Sequence, residues 1–182
     1  MIWEQEIRGK YVYLRSVIPD DAEFILELRS NPQINQYLPI LKISVEEQKN
    51  WIIEQQKRPG DYYFLVFNMS NEPIGTVRVY DIKDDCGESG SLALLGNAFE
   101  NMEARYLLEC FIFDTLGLEK TVATADFENK RAQHFGEAFG TIWDGEGLNS
   151  RGKLSKKGHN IKSRSIECRK KIAKMLYYCE QQ

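Results

Sequence analysis

Apolar positions along the chain switch between a two-residue period and a three-to-four-residue period, and each switch marks an element. Residues 9–17, GKYVYLRSV, alternate Tyr11, Tyr13 and Arg15 against Val12, Leu14 and Ser16, which suits a half-buried strand. Pro19, Asp20 and Asp21 open a helix whose apolar positions are Ala22, Ile25, Leu26 and Leu28, and it stops before Asn31-Pro32. Ser44, with Glu47 three residues on, is a capping-box pattern that starts a second helix carrying Trp51 and Ile52. Pro59-Gly60 ends it. Residues 62–68 and 73–82 are strand-like runs joined by Met69-Ser70-Asn71-Glu72, which reads as an antiparallel hairpin. Asp84, Asp85 and Gly87 then turn the chain into its central stretch.

Residues 90–140 organise the rest. SLALL (residues 91–95) is a short apolar run broken by Gly96-Asn97. From Glu103 the apolar residues Ala104, Leu107, Leu108, Phe111 and Ile112 recur at helical spacing, with Gly117 as the stop. TVATA (residues 121–125) is β-branched and alternating, hence a strand, and Asn129 opens a short helix ending near Gly140. A strand–helix–strand unit of this length predicts a parallel pair with a right-handed crossover. A ligand site is expected where the first strand gives way to the helix, because unpaired amide N–H groups gather there. Beyond Gly140 comes a Gly-rich polar segment, residues 141–152, followed by a possible strand at GKLSK and a helix over residues 161–178. The predicted order is β-α-α-β-β-β-α-β-α-β, a mixed α/β arrangement.

Composition narrows the class. A chain of 182 residues with ordinary apolar and charged fractions suits one globular unit over residues 1–182 and argues against disordered and membrane classes. The N-terminus lacks the basic-then-apolar layout of a signal peptide, which makes the cytoplasm the expected compartment. Four cysteines without CxxC spacing and two histidines argue against a zinc site and for reduced, structural thiols. Charge is uneven: residues 1–150 carry a net of −11 and residues 151–182 a net of +8. The basic extension allows nucleic-acid or phosphate contact. A charge run by itself is more often a solvated helix face or a tail lying on the acidic body.

Taken in order, several segments resemble the GCN5-related N-acetyltransferase (GNAT) family, in its branch of ribosomal-protein and amino-sugar acetyltransferases. They are GKYVYLR, PDDAEFILELRSNPQINQYL, the run of Ser44, Glu46, Gln48 and Trp51, NEPIGTVRVYDI, and LGLEK followed by a strand and ENKRA. The resemblance covers the chain to about Gly140. It implies an α/β (α+β) fold: a central mixed sheet with a splayed strand pair and flanking helices. It also implies acetyl-CoA as cosubstrate, bound in the splayed gap. Leu92, Ala93, Leu94 and Leu95 would run along the pantetheine arm. Asn97, Phe99, Asn101, Met102 and Glu103 would meet the pyrophosphate, with Asn129 and Ala132 near the thiol end. The two early helices wall the acceptor pocket in the family, which puts Arg29, Tyr37 and Trp51 at the substrate.

Two departures stand out. The family's pyrophosphate loop, (Q/R)-x-x-G-x-(G/A), aligns with Gly96, Phe99 and Asn101, so both glycine-type positions carry larger side chains. Asn101 is then a candidate helix cap, and Glu100 and Glu103 bring carboxylates to the helix start, where they repel a diphosphate. The tyrosine that commonly protonates the leaving thiolate falls on Gly136. For the chemistry itself, Glu88 is the candidate base and His134 the candidate acid. A backbone N–H near Leu94 or Leu95 would polarise the carbonyl. The expected activity is acetyl transfer from acetyl-CoA to a primary amine of a small molecule, such as an amino sugar, or to a peptide N-terminus. The alternative is a degenerate relative that has given up acetyl-CoA and serves as a binding module.

Overall fold

Residue burial in β3 (Tyr62–Asn68) sets the layers. Phe64 and Val66 are fully buried on one face, and Tyr63 and Leu65 are buried on the other. A strand covered on both sides needs helices above and below. The computed structural model, which describes residues 1–149 and 151–178, supplies both layers. On one face Phe64, Val66, Val77 and Val79 pack with Ala104, Leu107, Leu108, Phe111 and Ile112 of α4 (Ala98–Cys110) and the turn after it. Phe111 sits at the centre, in edge-to-face contact with Trp3, Tyr62 and Phe64 at 5.1–5.2 Å between ring centroids. On the other face Tyr63 and Leu65 meet Ala22 and Ile25 of α1 (Ala22–Ser30) and Ile52 of α3 (Val45–Gln56). Between α1 and α3 lies the short α2 (Pro32–Asn35), capped by the Asn31 side chain.

The remaining strands are β1 (Ile7–Arg8), β2 (Val12–Ser16), β4 (Pro73–Lys83), β5 (Cys86–Leu94), β6 (Lys120–Asp126), β7 (Ile142–Leu148) and β8 (Leu154–Ile161). One sheet holds them in the order β1-β2-β3-β4-β5-β6-β8-β7. The β5–β6 pair is parallel, and the other neighbours are antiparallel. The expected crossover through α4 is present, and α5 (Lys130–Ala138) and α6 (Lys162–Tyr178) complete the chain. No helix among the described residues is long and apolar enough to cross a membrane.

Four boundaries differ from the sequence expectation. β5 begins at Cys86, because pairing with both β4 and β6 makes a strand of CGESG, which composition marks as a turn. α4 begins at Ala98, capped by Asn97 rather than Asn101: the Asn97 side-chain Oδ1 accepts from Phe99 N and Glu100 N. The same helix continues through a π turn, Phe111–Thr115, before Gly117 adopts φ +71°. Residues 142–148 form β7 rather than a loop. Its alternation is real, but the half of it opposite Ile142, Asp144 and Glu146 is Trp143, Gly145 and Gly147. The Lys157 side chain lies against both glycines, so hydrophobicity carries no period there. β8 runs from Leu154 to Ile161, well past GKLSK, and passes directly into α6. Cys86, Cys110 and Cys168 are free thiols, and Cys179 lies outside the described residues.

Candidate active site

The parallel strands stay together for three residue pairs, Cys86–Lys120, Gly87–Thr121 and Glu88–Val122, and then part. Between Glu88–Leu92 on one side and Ala123–Asp126 on the other opens a cavity of about 580 Å³. On the β4 side the ladder also breaks: Thr76 pairs with Ala93 but Arg78 pairs with Gly90, so Ser91 and Leu92 form a bulge, with Ser91 at φ +49°. The bulge thus leaves two residues of β5 in neither ladder at the point where the strands diverge. Of Leu94 and Leu95, expected to supply the free N–H, Leu95 does not, because its N donates to Ile74 O at 2.8 Å; Leu94 stands opposite Gly75 in the ladder.

Glu88 stands at the vertex of the splay and lines the cavity. Tyr80, opposite it on β4, donates its hydroxyl to Glu88 Oε1 at 2.7 Å. Burial first, and then this bond to a carboxylate, push the Tyr80 phenol above the usual tyrosine range, so it stays a donor. The ring needs Gly90, where a Cβ would lie 2.9 Å from the Tyr80 oxygen. Arg105 of α4, only 6% exposed, also reaches the cavity. Its Nη1 donates to Ser89 Oγ at 2.9 Å and its Nη2 to Glu109 Oε1 at 2.5 Å. Glu109 in turn accepts from Ser165 Oγ at 2.8 Å, which ties the splay to α6. The Arg105 Nε is buried and, among the described residues, has no hydrogen-bond partner.

The residues assigned to the carrier scatter. Leu92 lines the cavity, Ala93 packs under Leu28 and Ile34, and Leu94 joins the core beside α4, while Leu95 is exposed. Asn129, which caps α5 by accepting from Ala132 N at 3.0 Å, lines the cavity together with Ala132. At the start of α4 the amides are already engaged: Asn97 N donates to Glu100 Oε2 at 2.7 Å, closing a capping box. Phe99 lies outside the crevice, its ring 5.4 Å from that of Tyr11. Asn101 donates to Gly96 O, and Met102 packs on the cluster around Phe139 and Leu176. Glu103 is fully buried and faces away from any phosphate. Its carboxylate accepts from Lys10 N, Tyr11 N and Val12 N at 2.6–2.9 Å and so clamps the β1–β2 turn. A diphosphate at this helix start would have to displace the Glu100 carboxylate.

Of the acceptor-wall residues, Arg29 and Tyr37 line the cavity and Trp51 does not. Trp51 packs edge-to-face on Tyr63, with the Arg78 guanidinium 5.2 Å from its ring centroid. His134 is exposed on α5 and lies outside the cavity wall. The missing tyrosine has a physical counterpart. A Cβ on Gly136 would stand 2.8 Å from Trp143 Cζ2, so the indole of β7 occupies that space. Trp143 Nε1 donates to Gln133 O at 3.0 Å, and the ring lines the cavity. Sequence reasoning missed Trp143, Tyr80 and Arg105, and it reached Arg151 and Lys157 only as part of the basic extension over residues 151–182. Trp143 sits in a segment that reads as loop, Tyr80 in a strand and Arg105 in a helix whose register against its neighbours the sequence does not show.

An acetyltransferase (GNAT) domain model matches residues 12–141. No curated protein sequence matches the chain. Among solved structures, an apo nucleotide-linked sugar GNAT, FdhC, is 27% identical with a TM-score of 0.75, covering 96% of this chain and 97% of its own. A GCN5-related N-acetyltransferase from Brucella melitensis is 18% identical with a TM-score of 0.80, covering 96% and 86%. A spermidine N-acetyltransferase from Vibrio cholerae, solved with CoA and spermine, is 21% identical with a TM-score of 0.75, covering 85% and 98%. With a matching domain model across most of its length and the same fold as solved GNAT structures, the chain belongs to the GNAT family of acetyltransferases.

Proposed function

We propose that the protein is an acetyl-CoA-dependent N-acetyltransferase that acts by direct transfer on a primary amine, that of a small molecule such as an amino sugar or of a peptide N-terminus. The observation that carries this reading is the cavity between the parted strands, with a carboxylate at its vertex. The nucleotide-linked sugar relative, similar over nearly the whole of both chains, supports the amino-sugar choice. Bound acetyl-CoA supplies an activated acetyl thioester. Glu88 takes the proton from the acceptor ammonium, directly or through water, with Tyr80 holding one of its oxygens in place. The backbone N–H groups of Ser91 and Leu92 serve the carbonyl oxygen as negative charge develops on it. Among the described residues no cysteine lines the cavity, which supports direct transfer over an acyl-cysteine relay. With His134 outside and Gly136 covered by Trp143, water protonates the departing thiolate.

The capping box at the start of α4 favours the second reading, a GNAT-fold binding module that does not use acetyl-CoA. Calorimetry with acetyl-CoA and CoA, followed by thiol release over a panel of amines, separates the two. Binding with turnover is expected, and Glu88→Gln should lower kcat by about 10²–10⁴-fold with the acceptor KM little changed. Absence of acetyl-CoA binding and of thiol release with every amine would leave the module.

A further inference from the structure

Several half-buried or buried guanidiniums meet carboxylates: Arg15 with Asp21 at 2.9 Å, Arg78 with Asp61 at 2.6 Å, Arg169 with Asp114 at 2.5 Å and, at the cavity wall itself, Arg105 with Glu109 at 2.5 Å. Three other cations of the cavity wall do not. Arg29 from α1 and, from the distant β7–β8 hairpin, Arg151 of its turn and Lys157 of β8 all line the cavity. Among the described residues none of the three has a carboxylate partner. Arg29 Nη2 donates to Pro39 O at 2.9 Å, Arg151 donates to Tyr37 O, and Lys157 Nζ donates to Thr124 Oγ1 at 3.1 Å. Carbonyl and hydroxyl oxygens satisfy donors without neutralising charge. The Arg29 Nε is buried and has no hydrogen-bond partner among the described residues.

The surroundings do not lack acids, since residues 1–150 carry 25 of them. Two carboxylates also line the cavity, Glu88, which accepts from Tyr80, and Asp126, which accepts from Glu128 N, and neither bonds any of the three cations. Burial lowers the Arg29 pKa, Tyr63 partly offsets this, and the like charge of Arg151 lowers it as well. Resting on the acetyltransferase reading, we propose that the acceptor is an amine carrying a phosphate-type dianion or diphosphate, and that Arg29, Arg151 and Lys157 grip that group. Planar guanidiniums offer paired N–H donors that match phosphate oxygens, and the lysine adds a point charge. Three cations suit a multiply charged phosphate better than a lone carboxylate. The same cluster repels a polyamine, so the acceptor chemistry differs from that of the spermidine enzyme with the similar fold.

The phosphate could belong to the acceptor or to the carrier, and the arms of the test distinguish them. Uridine diphosphate serves as the probe for the full chain in calorimetry, with CoA already saturating. Binding is expected, falling with added salt and weakened about tenfold or more by Arg151→Gln and by Lys157→Gln. Both side chains are outside the core, and melting curves check that the variants fold. Their CoA affinity should stay within about twofold of the parent, and spermidine should give no heat. Uridine diphosphate binding that CoA abolishes would hand the cations to the carrier and overturn the proposal, as would equal binding by parent and variants. If CoA itself fails to bind, the acetyltransferase reading falls. The probe alone then decides the anion site.

Discussion

At the scale of single residues, two glycines show how a small side chain records a large neighbour. Gly90 makes room for the Tyr80 ring and Gly136 for the Trp143 indole. The second has a measurable consequence. Gly136→Ala gains about 1 kcal/mol of helix propensity but forces a Cβ within 2.8 Å of the indole, and overpacking of that kind costs about 1–3 kcal/mol. A net loss of stability is expected in urea unfolding, and the sign should reverse in a Trp143→Ala background. Additive effects across that double-mutant cycle would mean that the ring does not fill the site. Glu88 was legible as a candidate from its place before an apolar strand. Its partner Tyr80 was not, because the pairing Tyr80–Glu88 depends on a register that bulges on both sides of it. Arg105 was hidden for a different reason: a cation inside an amphipathic helix reads as solvated until the opposite face is seen to be covered by α6.

The element that most affects the carrier is the first turn of α4. Asn97 and Glu100 close a capping box there, and the carboxylate stands where a diphosphate would gain from the helix dipole. Stability and binding should therefore move in opposite directions. Glu100→Gln lowers the melting temperature slightly, by the fraction of a kcal/mol that a charged residue contributes at a helix start. It should also tighten CoA several-fold by removing a like charge, and calorimetry reads the change directly. An unchanged or weaker CoA affinity would place the phosphates away from this turn. The helix itself was visible in the sequence through its apolar spacing. Its start was not, since Ala98 to Met102 carry no clean period and only the Asn97 hydrogen bonds define the cap. β7 escaped for the converse reason, with glycines standing where apolar residues would have shown the alternation.

Across the whole molecule, several weakly acidic groups are held protonated by the fold. Burial raises the pKa of the Cys110 thiol above its ordinary 9.0, and burial together with nearby carboxylates raises Tyr80 and Tyr177 above the ordinary 10.0. Each binds its proton more tightly in the folded chain than in the unfolded one. Their contribution is complete below about pH 9 and is lost as pH rises further. A melting temperature level between pH 7 and 9 and falling beyond it is expected from thermal scans, and a flat profile to pH 11 would contradict it. The sequence alone determined the alternation of strands and helices, the parallel unit at the centre and the family it resembles, because period, caps and turn residues act over a few neighbours. Tertiary structure alone decided where β5 and β6 part, that Ser91 and Leu92 leave both ladders, and that Arg29, Arg151 and Lys157 share one wall. Those facts depend on strand register and on side chains more than a hundred positions apart, and no local pattern of polarity encodes either.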